Sequence, residues 1–355
     1  MTKQLKLPRL SHTRRSVLGI GAAALTTSLL GTKNSALAGT EGRVLKICTL
    51  PGYSAVNVPM QAAFRTILPT MPGYATPELQ RTAKIPQIVQ QVLSGGAEMG
   101  DGDVASTMAA AEAGSDIRII GLSYNNISQV VVINGDRHDS MESLAKKGGV
   151  IAVSGIGDFM YVMLRGVLKK RNIDASKINF IELGSSGDRI RALLAGRVDA
   201  IPLHVEDVGP AQKQGNYPVA IRPWEEYDNW FSAVTMARAS WLKADENKAA
   251  AVAVLKSGLK SFRQSNNDFA WFKAQTHLYA SLDYLRDATE ETLRPVWQTL
   301  SQVAHTFPPN METMTVDEFA KVLPVYKETG ALKGTVDLHS LIDRTYLEQA
   351  IKELA

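Results

Sequence analysis

Five short stretches of this 355-residue chain set glycine or other small residues beside hydroxyl, amide or carboxylate groups just ahead of an expected helix. They are Gly52-Tyr53-Ser54-Ala55-Val56-Asn57, Gly102-Asp103-Val104-Ala105-Ser106, Ser123-Tyr124-Asn125, Ser154-Gly155-Ile156-Gly157-Asp158-Phe159 and Gly184-Ser185-Ser186-Gly187-Asp188. The first turn of a helix leaves backbone N–H groups without intrahelical partners, so such loops offer main-chain donors as well as side-chain hydrogen bonds to a small molecule. Ser, Asp and Asn are also ordinary N-caps. Each loop alone therefore supports two readings, capping and binding; the five together favour binding. The candidate ligand contacts are Tyr53, Ser54, Asn57, Asp103, Ser106, Tyr124, Asn125, Ser154, Asp158, Phe159, Ser185, Ser186, Arg189, His204, Trp230 and Phe231.

The chemistry these residues suggest is recognition. The five loops hold no Lys or Arg; Arg189, just after the fifth, and Arg222 are the obvious basic candidates. Flat aromatic faces suit a planar ring or a cation, with core packing as the competing role for each ring. The expected ligand is an aromatic or heterocyclic metabolite, its carboxylate taken by Arg189 and its ring donors by Asp103 or Asp158. Catalytic patterns are absent. The six histidines, His12, His138, His204, His277, His305 and His339, form no HxxxH or HExxH pair, and there is no G-x-S-x-G elbow. His204-Val205-Glu206-Asp207 reaches the same region as a polar wall. SGIGDF lacks the G-x-G-x-x-G spacing, and Glu182-Leu183 runs into another glycine loop rather than supplying an acidic ribose partner. No cofactor and no metal is expected.

These loops need strands and helices to hold them. Leu194-Ala195-Gly196-Arg197-Val198-Asp199-Ala200 lies over Leu93-Ser94-Gly95-Gly96-Ala97-Glu98-Met99 without gaps, 101 positions apart. In both copies apolar residues at helical spacing precede a glycine stop and a strand-like run. Helix and strand alternate from Val44 onward, which predicts an α/β protein with open parallel-type sheets. The spacing predicts a helix over Met60–Leu68, a strand over Gly73–Leu79, a small-residue helix after Gly100-Asp101-Gly102-Asp103 that runs to Ala113, and a strand over Gln129–Asn134. The pattern restarts near Ser143, as two similar lobes would.

Length suggests two domains, and 45% hydrophobic with 21% charged residues is ordinary for a globular chain. The formal charge of +4 is misleading, because residues 1–38 contain six bases and no acid, leaving 33 bases against 35 acids. A nucleic-acid binder is therefore not expected. The leader reads as a signal peptide: Arg14-Arg15 before an uncharged run from Val17 to Leu30, too short to span a membrane, then Ala36-Leu37-Ala38 as a cleavage site. The paired arginines resemble a twin-arginine export signal, although Val17 and Gly19 stand where that pattern prefers Phe and Lys. The single cysteine, Cys48, sits in an alternating strand and can form no internal disulfide.

Strand, SGIGDF and long helix, then GSSGDR followed by ALLAGRVDAI, and the closing LIDRTYLEQAIKEL resemble the periplasmic substrate-binding proteins of ABC transporters, in the nitrate/sulfonate/taurine and thiamine-precursor (NMT1/THI5-like) branch. The resemblance spans the mature chain. It implies a type II two-lobe periplasmic binding protein fold, with two Rossmann-like lobes joined by two hinge crossings, expected at Asn134–His138 and Val219–Ser232. Residues 39–136 plus 230–355 would form lobe 1 and 137–229 lobe 2. It further implies a periplasmic receptor that hands a small molecule to an inner-membrane ABC permease; with the paired arginines of the leader, export by the twin-arginine machinery is expected, and the receptor is expected to be a monomer. An exported enzyme using the same cleft, and a nitrate- or sulfonate-binding receptor of the same fold, are the alternatives. Eukaryotic thiamine-pyrimidine synthases share the fold but carry a cysteine-rich stretch that this chain lacks.

Overall fold

The computed structural model describes residues 42–50, 54–82 and 85–355. The signal-peptide reading and Tyr53 lie outside the described residues. Ten strands form two five-stranded sheets. The first contains β1 (Lys46–Thr49), β2 (Glu78–Arg81), β3 (Met99–Asp103), β4 (Arg118–Leu122) and β10 (Ala233–Ala237), in the order β2-β1-β3-β10-β4. The second contains β5 (Gln129–Ile133), β6 (Val150–Val153), β7 (Asn179–Glu182), β8 (Ala200–His204) and β9 (Val219–Ile221), in the order β7-β6-β8-β5-β9. The two orders are the same topology repeated. The helices are α1 (Val58–Ala62), α2 (Gln87–Ser94), α3 (Val104–Glu112), α4 (Met141–Lys146), α5 (Phe159–Lys170), α6 (Ser186–Leu194), α7 (Val205–Gln212), α8 (Asp245–Asn267), α9 (Phe269–Tyr279), α10 (Asp283–Arg286), α11 (Glu290–Gln298), α12 (Val316–Glu328), α13 (Leu338–Leu341) and α14 (Thr345–Lys352).

The sheets are mixed rather than purely parallel. β1 pairs parallel with β2 and β3, but β10 runs antiparallel between β3 and β4. Likewise β6 pairs parallel with β7 and β8, while β5 runs antiparallel between β8 and β9. In each sheet the reversed strand is the one that enters directly after a passage from the other sheet. β5 therefore belongs to the second sheet, and the first passage runs through Ser123–Ser128, not through Asn134–His138 as the sequence suggests. Asn134-Gly135-Asp136 is a turn within the second lobe, closed by the Gly135 N–H donating to Asn216 O at 2.8 Å. The return passage is Arg222–Ser232. Asn125 Nδ2 donates to Asn229 Oδ1 at 2.8 Å and Asn126 Nδ2 donates to the Asp228 carbonyl at 3.3 Å, so the two passages lie side by side.

Local sequence explains the elements. Ile88, Val89 and Val92 bury one face of α2, and Gly95 (φ +81°) ends it in the left-handed conformation that glycine adopts without a Cβ clash. The second copy ends α6 with Gly196 at φ +65°. The expected loop Gly102–Ser106 is instead the end of the buried strand β3, through Asp103, and the start of α3 at Val104. The glycines of β3 are packing requirements: a Cβ at Gly100 or Gly102 would lie 3.0 Å from Ile88 Cγ2 of α2. The helix expected from Met60 starts earlier, with a 3-10 turn at Ala55, and continues as a wider π turn through Ile67; Pro59 falls in the first turn of α1, where its missing N–H costs nothing. The second lobe's core shows the strand period directly. Val130 and Val132 pack with Leu193, Ile201 and Leu203, while Val131 and Ile133 face the opposite side of the sheet.

Candidate functional site

Strand ends deliver the polar groups. β3 ends at Asp103, whose carboxylate caps α3 by accepting from the Ser106 N–H at 2.8 Å and the Ala105 N–H at 3.2 Å, and also from the Ser106 hydroxyl at 2.6 Å. β6 leads to Asp158, which caps α5 by accepting from the Tyr161 N–H at 2.8 Å and also takes the Ser154 hydroxyl. Ser185 caps α6, and β8 ends at His204, directly ahead of α7. The two readings of these loops are thus compatible, since capping aims the carboxylates at the end of the sheet where the lobes meet.

Asp103 of the first lobe and Asp158 of the second lie within range of each other's charge, and both act on the buried phenol of Tyr326 from α12. Asp103 is only 2% exposed, and burial pushes its pKa up to about 6 against the opposing hydrogen bonds from Ser106. Asp158 is raised by burial as well, although its hydrogen bond from Ser154 and the nearby Arg189 charge oppose the shift. Tyr326 stacks on Trp230 at 5.9 Å between centroids, and Trp230 also meets Tyr227 at 4.7 Å. Both Trp230 and Tyr326 are buried; the Trp230 Nε1 proton has no acceptor among the described residues.

A second group of charges lines the wall made by α6, β8 and α7. Arg189 is 5% exposed and, among the described residues, forms no ion pair within 4 Å and leaves its Nε without a partner; it donates to the Gly184 carbonyl and, at 3.1 Å, to Ser186 Oγ. Burial lowers its pKa, and Asp158, Asp207 and Asp188 counter this through their charge. His204 contacts Gln129 through Nε2 at 3.4 Å, and burial drops its pKa to about 4, so the ring is neutral at physiological pH. Glu206 and Asp207 are the acids that sequence reading noted without ranking as ligand contacts. Glu206 is 4% exposed and reaches across to the first lobe, accepting from the Ala55 N–H at 2.8 Å through Oε1, while Oε2 has no partner among the described residues. Asp207 accepts from the Tyr284 hydroxyl of the first lobe's α10. Burial raises both acids.

The other expected contacts are placed as follows. Asn57 is buried, donates to the Tyr124 hydroxyl and accepts from the Ser54 N–H and Oγ, so these three form one network beside α1. Asn125 lies in the first passage and is held by Asn229 and Thr313. Phe159 is partly buried at the start of α5. Phe231 stacks on Phe319 at 4.5 Å, and both are buried, so its ring is spent on the core. Ser185 is exposed and bonded to Asp188, turned from the buried charges. Two open surface depressions share only Asn125 with these residues, one lined by Arg118, His339 and Arg344, the other by Asn125, Asn266 and His305. The interlobe cluster is the better candidate, because it concentrates incompletely bonded polar groups, on Arg189, His204, Glu206 and Trp230, against the facing groups of the first lobe. Among the described residues no group of His, Cys, Asp or Glu is arranged to hold a metal ion.

Comparison with known proteins places this geometry. No curated protein sequence matches the chain. Among solved structures, the periplasmic nitrate-binding protein NrtA of Synechocystis PCC 6803 is similar with a TM-score of 0.72 at 12% identity, covering 88% of this chain and 89% of that one. The zinc-bound ligand-binding component of an ABC-type import system from Staphylococcus aureus gives 0.67 at 15% identity, over 87% and 99% of the two chains. The alkanesulfonate-binding protein SsuA of Xanthomonas axonopodis pv. citri, bound to MOPS, gives 0.66 at 15% identity, over 86% and 99%. At these identities the likeness establishes the fold, the two-lobe architecture of periplasmic binding proteins. The NMT1/THI5-like family model matches residues 78–265, a stretch that runs from β2 into α8 and takes in every strand of both sheets but β1, and the chain belongs to that family.

Proposed function

We propose that this protein is a non-enzymatic solute receptor that closes its two lobes on a small organic molecule and presents it to an inner-membrane ABC permease. The observation that carries this reading is the meeting of polar groups from opposite lobes, most of them buried: Asp103 and Tyr326 with the partly buried Asp158, and Ala55 and the exposed Tyr284 with Glu206 and Asp207. A ligand that contacts both walls stabilises the closed arrangement by its differential affinity for that state. The adjacent passages at Ser123–Ser128 and Arg222–Ser232 supply the hinge. No helix among the described residues is long and apolar enough to cross a membrane, consistent with delivery to the periplasm by the leader. The ligand we favour is aromatic or heterocyclic, with Arg189 holding an acidic group and Asp103 or Asp158 holding ring donors.

A second reading rests on Arg189, a buried guanidinium without an ion pair, together with the nitrate- and alkanesulfonate-binding neighbours: a receptor for a small oxyanion. The test is a thermal-shift screen of a metabolite library followed by small-angle scattering. A cognate ligand should raise Tm by mass action and shrink the radius of gyration, and be recovered chemically unchanged. Conversion with turnover would reject the receptor reading.

A further inference from the structure

Of the side chains brought together between the lobes, four are carboxylates, Asp103, Asp158, Glu206 and Asp207, and one is a cation, Arg189; the neutral His204 ring and the phenols of Tyr284 and Tyr326 complete the set. Lys169 and Lys170, at the far end of α5, are turned to Glu328 and the Glu226 carbonyl. An acidic cluster alone would be no argument, because Asp103 and Asp158 are largely spent on capping helices. Glu206 differs. It sits at the second position of α7, is 4% exposed, and spends one oxygen on the Ala55 N–H of the opposite lobe. That bond fixes its direction across the lobe boundary, and its Oε2 has no partner among the described residues. Arg189 has less to offer an anion. Each of its two terminal nitrogens already spends one N–H on its own loop, which fixes the guanidinium there and leaves three of its five N–H groups.

A buried carboxylate with an unused oxygen is costly unless a cation or strong donor meets it. From this we infer that the site selects a ligand bearing a positively charged nitrogen, such as an amine or amidinium on a planar scaffold, and that Glu206 is the residue that takes it. The inference rests on the receptor reading and keeps its planar ligand, but puts a cationic group on Glu206 in place of an acidic group on Arg189. The excess of negative charge disfavours an oxyanion in the same space.

The test uses four probes of one shape: benzamidine, benzamide, benzoate and benzenesulfonate, titrated calorimetrically into the purified protein at pH 7.5, with nitrate as a fifth. Benzamidine should bind at least tenfold more tightly than benzamide, and the three anions more weakly than benzamide. Glu206→Gln keeps an acceptor for the Ala55 N–H, so it should fold normally; it should erase the advantage of benzamidine while leaving benzamide within about twofold. Tighter binding of any anion, an undiminished preference in E206Q, or no binding of benzamidine at 10 mM (order-of-magnitude ceiling for a weak probe, about 3 kcal/mol) overturns the inference. The receptor reading fails separately: an anion that binds, contracts the protein and is recovered intact leaves that reading standing, whereas chemical conversion of a probe removes it.

Discussion

Replacing Asp103 with Asn tests whether this carboxylate is held in the buried environment described. Its pKa rises from 3.8 to about 6 on folding, chiefly through burial. The native state therefore holds this proton more tightly than the unfolded chain, so the stabilisation is complete below pH 4 and lost as pH rises through 6. A shift of about 2 units corresponds to about 3 kcal/mol, of which about 2 kcal/mol falls between pH 4.5 and 7.5. Asn preserves an N-cap acceptor and does not titrate. Groups that do not interact with Asp103 contribute equally to both proteins, so the quantity to measure is a double difference, in which the smaller charge coupling to Asp158 is included. Urea unfolding of wild type and Asp103→Asn at pH 4.5 and 7.5 should show the mutant losing about 2 kcal/mol less than the wild type across that interval. A double difference below about 0.5 kcal/mol would mean that Asp103 is solvated in the native protein, and the buried interlobe cluster would have to be redrawn.

Gly166 of α5 faces the return passage so closely that a Cβ would lie 2.7 Å from the Tyr227 hydroxyl and 2.9 Å from Val325 Cγ1 of α12. Gly166→Val should destabilise the protein by about 1–3 kcal/mol through overpacking, read as a lower urea midpoint with unchanged slope; an unchanged midpoint would show that α5 and α12 do not pack this way. In the leader, Arg14→Lys with Arg15→Lys should abolish export by the twin-arginine route, and normal periplasmic yield of the double variant would show that the general secretory route is used.

Much of the fold could be read from local chemistry. The helix–glycine–strand unit is legible because Gly95 and Gly196 need a positive φ and because Ile88, Val92 and Leu193 keep a helical period just before the stop. The strand-end loops are legible for a related reason, since Asp103, Asp158 and Ser185 are caps, and caps mark where a strand hands over to a helix. Pairing partners were not legible. The turn residues Asn134-Gly135-Asp136 look like a linker, yet β5 lies before them in the second sheet, and only its antiparallel pairing with β8 and β9 reveals this. β3 was hidden by its glycines, whose cause is Ile88 above the sheet. At the site, Glu206 and Asp207 look like ordinary acids in a helix's first turn. Their distinction comes from Ala55 and Tyr284, about 151 and 77 residues away in the chain, and the contribution of Tyr326 depends on α12 returning to the boundary. Contacts at such separations leave no trace in spacing.

The reversed strands also constrain the order in which the molecule can be assembled. All five strands of the second sheet lie in one continuous stretch, Gln129 to Ile221, so that sheet has every strand it needs before the return passage exists. The first sheet does not. β4 finds its neighbour in that sheet only through β10, apart from a single bridge between Ile119 and Ile342 still nearer the carboxyl end. Until residue 237 is available, β3 has an unpaired edge and β4 no strand beside it, although both were among the earlier parts of the chain to be made. Completing the first lobe thus requires closure of a loop of roughly a hundred residues, the kind of non-local pairing that slows folding. The amino-terminal half stays incomplete until late by virtue of its strand order, the condition in which a chain can still be held unfolded.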